Sequence, residues 1–258
     1  MRPTRLAVRL TTWSSTLALL VLAPPISGAD QPATIRKPAG ATAPSPAGPQ
    51  PAITNAPAGD PAPDKEKEKE LLKLLQSDSD FTNTLGNVLV HLPAGFRVAR
   101  TEVTQADFEK VMGSNPSKFT GGSRPVERVT AGQAAEYCRR LTELEQTAGQ
   151  LSKSFSYALP GESAFDLYVA DTPLETAFVS YIGDRLETAQ VGSLAPNKIG
   201  LYDVRGNVWE WCDNGVARGS SYQSHEDYLS TAFRFVGDGS TALEDIGFRI
   251  ILRGSGKP

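Results

Sequence analysis

The sequence has few of the residues on which metal and redox centres depend. Among its 258 residues there are two histidines and two cysteines. A non-haem iron centre needs two or three histidines or a carboxylate set, so His91 and His225 alone argue against one. His91 lies in an apolar, strand-like run, where a structural histidine is expected. A net charge of −3 and an isoelectric point near 5.5 provide no basic surface, so nucleic acid is not an expected partner.

Long apolar runs are also missing, except near the N-terminus. Three arginines within the first nine residues precede an apolar run over residues 13–22, and small residues follow up to Ala29. These are the three parts of a secretory signal peptide. The run is short for a membrane-spanning helix, which needs about 20 apolar residues. We therefore expect residues 1–29 to be a signal peptide and the protein to be secreted or periplasmic, with no membrane span after cleavage. A retained N-terminal anchor is the alternative.

Composition divides the rest of the chain into three parts. Residues 30–64 are rich in proline, alanine, glycine and threonine and have almost no bulky apolar side chains, which predicts a disordered linker. Residues 65–79 begin with alternating lysines and glutamates and continue into a leucine-rich face, which predicts a short charged helix. Residues 80–258 have the length of one domain.

Periodicity within the last part predicts short strands over residues 87–95 and 96–103, and helices over residues 105–112, 132–148 and 163–169. Beyond residue 169 the pattern indicates short strands and loops. Four residues of the longest helix recur at a spacing of three and are expected on its buried face: Ala135, Cys138, Leu141 and Leu144. The pattern alone therefore indicates a loop-rich α+β domain.

The densest cluster of unusual residues is GLYDVRGNVWEWCDNG, from Gly200 to Gly215. Its glycines, polar turn residues and large aromatics fit neither a helix nor a strand. It predicts an ordered, buried loop in which Trp209 and Trp211 anchor the backbone. Arg218-Gly-Ser-Ser-Tyr222 follows directly.

These two segments resemble the signature of the formylglycine-generating-enzyme family, the sulfatase-modifying-factor domain. Other pieces of the signature occur in the family's order over residues 85–253. They are Thr101-Glu-Val-Thr104, Asn115-Pro-Ser-Lys-Phe119, Pro125-Val-Glu127, Ala134-Ala-Glu-Tyr-Cys138, Leu159-Pro-Gly-Glu162 and Gly247-Phe-Arg249. The resemblance implies a loop-rich α+β fold related to C-type lectins. The chain departs from the signature at Phe165-Asp166, which replace a tryptophan–glutamate pair.

The resemblance also implies how the family oxidises a substrate cysteine to formylglycine. Family members hold copper(I) through two cysteines that follow the arginine–tyrosine element, and soft thiolates select that ion. This chain has Ser224 and Leu229 at the two positions. Because a hydroxyl is a poor copper(I) ligand and leucine is none, the sequence argues against copper and against the family's catalytic mechanism.

Calcium is the second ion that the resemblance implies. Family members place it in the tryptophan-rich loop, using an asparagine side chain, main-chain carbonyls and a glutamate, which is the mixed oxygen set that calcium prefers. The matching ligands in this chain are Asn207, the carbonyl of Val208, and Glu210. The alternative is that Asn207 and Glu210 hydrogen-bond the loop itself, as buried polar side chains usually do.

Two further sets of residues have more than one interpretation. In resembling bacterial sequences the positions of Cys138 and Cys212 are often both cysteine, which an exported location makes compatible with a disulfide. Two buried thiols that pack as small apolar groups are the alternative.

Ser224, His225 and Glu226 lie where the family has its active groove. A Ser-His-acid triad is one interpretation, but neighbouring residues on one loop rarely converge in that geometry, which favours solvated loop polarity.

The intact scaffold signature beside the missing thiol pair leads to the preferred hypothesis. It is an exported, non-catalytic family member, a pseudoenzyme that binds a protein or a small ligand in the exported compartment. The alternative is a divergent metal-dependent oxidoreductase that acts on a protein cysteine, as formylglycine-generating enzymes do.

Overall fold

The computed structural model describes residues 65–169, 172–173, 186–224, 230, 232–237 and 239–255. The signal peptide expected over residues 1–29, the linker expected over residues 30–64, and the residues His225, Glu226 and Leu229 lie outside these ranges. The described residues all belong to one compact unit. None of the helices in this part of the chain has the length and apolarity needed to cross a membrane.

The described ranges contain the helices α1 (Lys65–Gln76), α2 (Gln105–Met112), α3 (Ala131–Thr147) and α4 (Glu162–Val169). α2 and α3 each begin directly after a threonine that caps the helix N-terminus. Thr104 Oγ1 accepts a hydrogen bond from the Asp107 N–H, and Thr130 forms a capping box with Gln133. Each threonine thereby satisfies a first-turn N–H that has no partner within the helix. α2 ends at Gly113, whose φ of 83° is left-handed and costs glycine little.

In chain order, the strands are β1 (Phe81–Thr82), β2 (Val88–Leu92), β3 (Phe96–Ala99), β4 (Phe155–Ala158), β5 (Trp209–Trp211), β6 (Val216–Arg218), β7 (Phe235–Val236), β8 (Ile246–Gly247) and β9 (Ile251–Gly254). One sheet has the order β1-β2-β3-β9-β4 and is antiparallel throughout. The second has the order β7-β6-β5-β8, with β5 parallel to β8. The α+β fold expected from the sequence is confirmed.

The buried face of α3 differs in part from the expected one. Tyr137, Cys138 and Leu141 are buried, but Ala135 is exposed and Leu144 is 55 % exposed. The expected residues were chosen at a uniform spacing of three, and such a row drifts around a helix of 3.6 residues per turn. The buried positions alternate steps of three and four instead, and they continue to Glu145.

The helix α1 packs against the domain through an arginine. The Arg97 guanidinium, on β3, donates hydrogen bonds to the carbonyls of Leu75 (2.8 Å) and Ser77 (2.7 Å). These carbonyls lie at the C-terminal end of α1, where backbone acceptors have no partner within the helix. Leu75 is buried in the same core as Leu89. The charged helix is therefore part of the domain.

The aromatic anchors of the tryptophan-rich loop lie in the core. Trp211 is fully buried, and its Nε1 donates to the Val129 carbonyl (2.8 Å). Trp209 is partly buried and packs near Phe235, with ring centroids 6.4 Å apart. Trp209 and Trp211 thus anchor the loop at both ends of β5. They fix the position of Glu210, the residue between them.

Candidate functional site

The loop from residue 200 to residue 222 turns sharply at its centre. Gly206 and Asn207 have φ angles of 85° and 56°, in the left-handed region that asparagine tolerates better than most side chains. The Gly206 N–H donates to the Gly219 carbonyl (2.8 Å), and the Tyr222 N–H donates to the Asn207 carbonyl (2.9 Å). These bonds join the tryptophan-rich segment to the arginine–tyrosine element, so the two motifs form one site.

Both ends of the Asn207 side chain are hydrogen-bonded inside the protein. Its Nδ2 donates to Glu102 Oε2 (2.7 Å), and its Oδ1 accepts from the Ala189 N–H (2.9 Å). The Val208 N–H donates to the other oxygen of Glu102 (3.3 Å). Glu102, which follows β3, therefore binds the loop through a side chain and through the backbone.

Glu210 forms a buried ion pair with Arg249. Arg249 Nη2 lies 2.7 Å and Nε 3.0 Å from Glu210 Oε1, and the Tyr168 hydroxyl donates to Oε2 (3.2 Å). The same guanidinium donates to the carbonyls of Ala99 and Tyr202. The side chains of the pair are 0 % and 1 % exposed. This one arginine therefore links β3, β5 and the loop.

Three carboxyl groups interact around this guanidinium. Burial, reinforced by Asp203 and Glu210, raises the pKa of Glu102 well above its ordinary value. Burial also raises the pKa of Asp203. Burial acts to lower the pKa of Arg249, but the Glu210 carboxylate outweighs it and raises that pKa. The site thus favours a charged Arg249 guanidinium beside a Glu102 that resists ionisation.

These contacts engage the side-chain oxygens that the resemblance assigns to calcium. Both oxygens of Glu210 accept hydrogen bonds from Arg249 or Tyr168, and the Asn207 amide oxygen accepts from a backbone N–H. Within the described ranges, no group of three or more histidine, cysteine, aspartate or glutamate residues could hold a metal ion. The other interpretation, in which Asn207 and Glu210 hydrogen-bond the loop and its surroundings, accounts for these contacts, and the calcium site stays a prediction.

Ser224, the described member of the three groove candidates, takes part in a local turn. Its Oγ accepts a hydrogen bond from the Ser221 N–H (3.0 Å), and Ser221 Oγ donates to Asp245 Oδ2 (2.8 Å). Burial raises the pKa of Asp245. His225 and Glu226 lie outside the described residues, so the triad interpretation stays a prediction.

A second buried arginine holds the element that follows the loop. Arg218 donates to Glu162 Oε2 (2.9 Å) and Asp166 Oδ1 (2.6 Å), and its guanidinium lies 4.8 Å from the centre of the Phe165 ring. Phe165 and Asp166 are the residues that depart from the family signature. The two residues that replace the tryptophan–glutamate pair therefore contact Arg218 and join α4 to β6.

Cys138 and Cys212 are free, buried thiols in the structure. Burial raises the pKa of Cys212 to about 12 and that of Cys138 further still. Both line a cavity of about 670 Å³ between α3 and β4. The disulfide between them stays a prediction.

Sequence reasoning missed the partners of the loop, Glu102 and Arg249, although both lie in motifs quoted for the resemblance. Each is a single charged residue next to apolar positions, Val103 and Phe248. The sequence offered one signal for this pairing, namely charges of opposite sign in two mostly apolar motifs. Because a buried charge needs a partner, such charges are candidates for an ion pair.

Comparison with known proteins places the fold. The model of the sulfatase-modifying factor enzyme 1-like domain matches residues 74–253. Among solved structures, Treponema denticola variable protein 1 has a TM-score of 0.53 at 24 % identity, covering 61 % of this chain and 84 % of that one. CarF has a TM-score of 0.52 at 24 % identity, covering 62 % and 87 %. PvdO from Pseudomonas aeruginosa has a TM-score of 0.50 at 19 % identity, covering 61 % and 80 %. Identities this low show the fold alone.

Two curated relatives match in part. Chaperone protein LppX from Paenibacillus barcinonensis is 29 % identical over an alignment of 171 residues, and the match covers 45 % of this chain and 61 % of LppX. The formylglycine-generating enzyme of Thermomonospora curvata is 33 % identical over an alignment of 91 residues, and the match covers 24 % of this chain and 30 % of the enzyme. The chain spans less than two thirds of each relative. With its family match over residues 74–253, the chain belongs to the sulfatase-modifying factor enzyme 1-like (formylglycine-generating enzyme) family.

Proposed function

We propose that this protein is an exported, non-catalytic member of its family that binds a partner protein. The observation that carries the proposal is the state of the chain's two thiols. Cys138 and Cys212 are buried, and burial raises the pKa of Cys212 to about 12. Because the thiolate is the nucleophile and the metal ligand, buried thiols with a raised pKa are poorly suited to hold copper(I) or to attack a substrate. Ser224 and Leu229 stand where the resemblance places the copper-binding pair.

The tryptophan-rich loop supports a structural role for the family motif. Asn207, Glu210 and Arg249 direct their polar atoms at other parts of the same chain. Such a network rigidifies the fold and leaves few of its groups for a substrate. A rigid scaffold is what a binding module requires.

The kind of partner is suggested by a relative. LppX is named as a chaperone, and a chaperone contacts other polypeptides. Export is supported by the signal-peptide pattern over residues 1–29. We therefore propose a polypeptide partner in the secreted or periplasmic compartment.

The alternative is a divergent metal-dependent oxidoreductase that acts on a protein cysteine. The 33 % identity with the Thermomonospora curvata enzyme over 91 residues favours it. Mass spectrometry on a cysteine-containing sulfatase-motif peptide distinguishes the two proposals. The peptide is incubated with the full-length protein, copper(I), a thiol reductant and oxygen, beside an active family enzyme as the control. We expect no aldehyde from this protein; conversion of the cysteine would overturn the non-catalytic proposal.

Binding is tested directly with an unfolded polypeptide as the probe. Fluorescein-labelled lactalbumin, reduced and carboxymethylated so that it cannot refold, is titrated with the full-length protein while fluorescence anisotropy is measured. We expect saturable binding that native lactalbumin does not show. Absence of binding to the unfolded probe would remove the support for a chaperone-like partner.

A further inference from the structure

The cavity between α3 and β4 takes Cys212 and Asp213 from the end of the tryptophan-rich loop, and none of its lining residues belongs to the Glu102–Asn207 and Glu210–Arg249 contacts; it has the dimensions of a binding site. Its volume is about 670 Å³, within the range of roughly 300 to 1,000 Å³ that is usual for ligand pockets. Small or apolar residues from three segments line it: Ala131, Ala135, Cys138, Ala158, Leu159 and Cys212. Short side chains on α3 leave space that a longer apolar side chain would occupy.

Side chains of α3 form hydrogen bonds with the backbone of β4. Gln146 Nε2 donates to the Phe155 carbonyl (2.9 Å), and Thr142 Oγ1 accepts from the Tyr157 N–H (3.0 Å). β4 is an edge strand of its sheet, but these contacts occupy edge groups that an added strand would need. An occupant therefore binds by inserting side chains and not by extending the sheet. Because the two elements are already fixed, little ordering free energy is lost on binding.

The exposed rim of the cavity carries charges of both signs. Asp213 and Arg253 line it and are exposed. Within the described part of the chain, neither side chain has a salt-bridge or hydrogen-bond partner, whereas Arg139 pairs with Glu143. A phosphate or another anion would meet Asp213 and Glu143. A polypeptide backbone complements both signs, since its N–H donates to a carboxylate and its carbonyl accepts from a guanidinium.

We propose that this cavity binds apolar side chains of an extended partner polypeptide, whose backbone contacts Asp213 and Arg253. This inference rests on the proposed function and assigns its binding surface. Apolar anchors in fully desolvated pockets supply most of the affinity at protein interfaces. The two polar residues at the rim fix the orientation of the bound segment.

Filling the cavity tests the proposal. Ala135→Trp places a large side chain at an exposed α3 position that lines the cavity. Leu144→Trp is the matched control, because Leu144 is also exposed on α3 and lies outside the cavity lining. With unfolded, carboxymethylated lactalbumin as the probe, we expect Ala135→Trp to raise the Kd about tenfold or more and Leu144→Trp to leave it unchanged. Equal affinity of the two variants would overturn the cavity proposal and leave the proposed function standing.

Circular dichroism shows whether Ala135→Trp folds. If it does not fold, a second variant tests the proposal. Asp213→Asn combined with Arg253→Gln changes two exposed side chains, so the fold is expected to tolerate it. Loss of two backbone contacts should weaken probe binding about fivefold; unchanged affinity would contradict the proposal.

If the parent protein binds no probe, the proposed function fails, and the cavity proposal fails with it. Sedimentation that shows a dimer dissociated by Ala135→Trp, with unchanged probe binding, would assign the cavity to a second copy and overturn the proposal.

Discussion

The tryptophan-rich loop and the α3–β4 cavity use charged side chains in opposite ways. In the loop, Glu210 and Arg249 are buried and paired. At the cavity, Asp213 and Arg253 are exposed, and neither forms a salt bridge with any described residue. Asp213 belongs to the same motif as Glu210, so one family motif both builds the scaffold and contributes an exposed group to the cavity. A residue's place in the motif is consequently a poor guide to whether a partner can reach it.

The largest expected effect comes from a glycine packed against the loop. A Cβ at Gly247 would overlap the Val126 carbonyl oxygen and lie 2.9 Å from Val208 Cγ2. Backbone must shift to relieve the first overlap, so we expect Gly247→Ala to destabilise the protein by about 4 kcal/mol or to prevent folding. Urea unfolding followed by circular dichroism measures the change.

A glycine beside the cavity provides the control for that substitution. A Cβ at Gly132, in the first turn of α3, would have as its nearest neighbour Thr130 Oγ1, at 3.8 Å. Gly132→Ala should therefore keep the fold and stabilise it by roughly 0.5 kcal/mol, through helix propensity. If both variants lost a similar free energy of unfolding, the loop and the cavity would be equally tightly packed. The contrast between the two regions would then be removed.

The next effect comes from the buried ion pair. Arg249→Met leaves the Glu210 carboxylate buried without its cation, which should cost about 3 to 5 kcal/mol. Adding Glu210→Leu removes the stranded charge, so the double variant should be more stable than Arg249→Met alone. The free energies of unfolding of both variants and the parent give the coupling. A double variant less stable than the single one would mean that the contacts of Arg249 with Ala99 and Tyr202 matter more than the pair.

Local patterns predicted the local parts of this structure and missed the distant pairings. α2 matches its expected bounds, and α3 begins one residue before them, because caps and apolar spacing act within a few residues. β5 and β8 are strands of three and two residues, too short to carry a detectable period. At the site, the sequence singled out Asn207 and Glu210, with calcium binding and internal hydrogen bonds as the two interpretations, and both side chains are buried. Their partners were missed, since no local pattern reports a contact between distant segments.

A smaller effect is expected from the pH dependence of stability. The pKa of Glu102 is raised above 4.5 in the folded protein by burial and by its carboxylate neighbours. A group with a raised folded-state pKa contributes stability that is fully present below its unfolded pKa and is lost as the pH rises through the folded pKa. Glu102→Gln removes this titration, so the fall in Tm between about pH 5 and about pH 8 should be smaller than in the parent.

The exposed carboxylate at the cavity is the control for this measurement. Asp213→Asn removes an exposed carboxylate that has no partner among the described residues, and it is the matched variant against which the Glu102→Gln profile is compared. A Glu102→Gln profile as steep as the parent's would show that another group, such as Asp203, dominates the titration in this range.

The smallest expected effect is that of calcium on the parent protein. Calcium would need oxygens of Glu210 that already accept hydrogen bonds from Arg249 and Tyr168. Displacing a buried guanidinium would leave it unpaired, at a cost that binding would have to exceed. We therefore expect the Tm to be the same with calcium chloride as with a chelator. Arg249→Met sharpens the test, because it frees the carboxylate, and a calcium-dependent rise in Tm confined to that variant would show that the arginine occupies the place of the cation. A rise in the parent would mean that the pair opens to admit calcium, and the loop would then be a ligand site like the cavity.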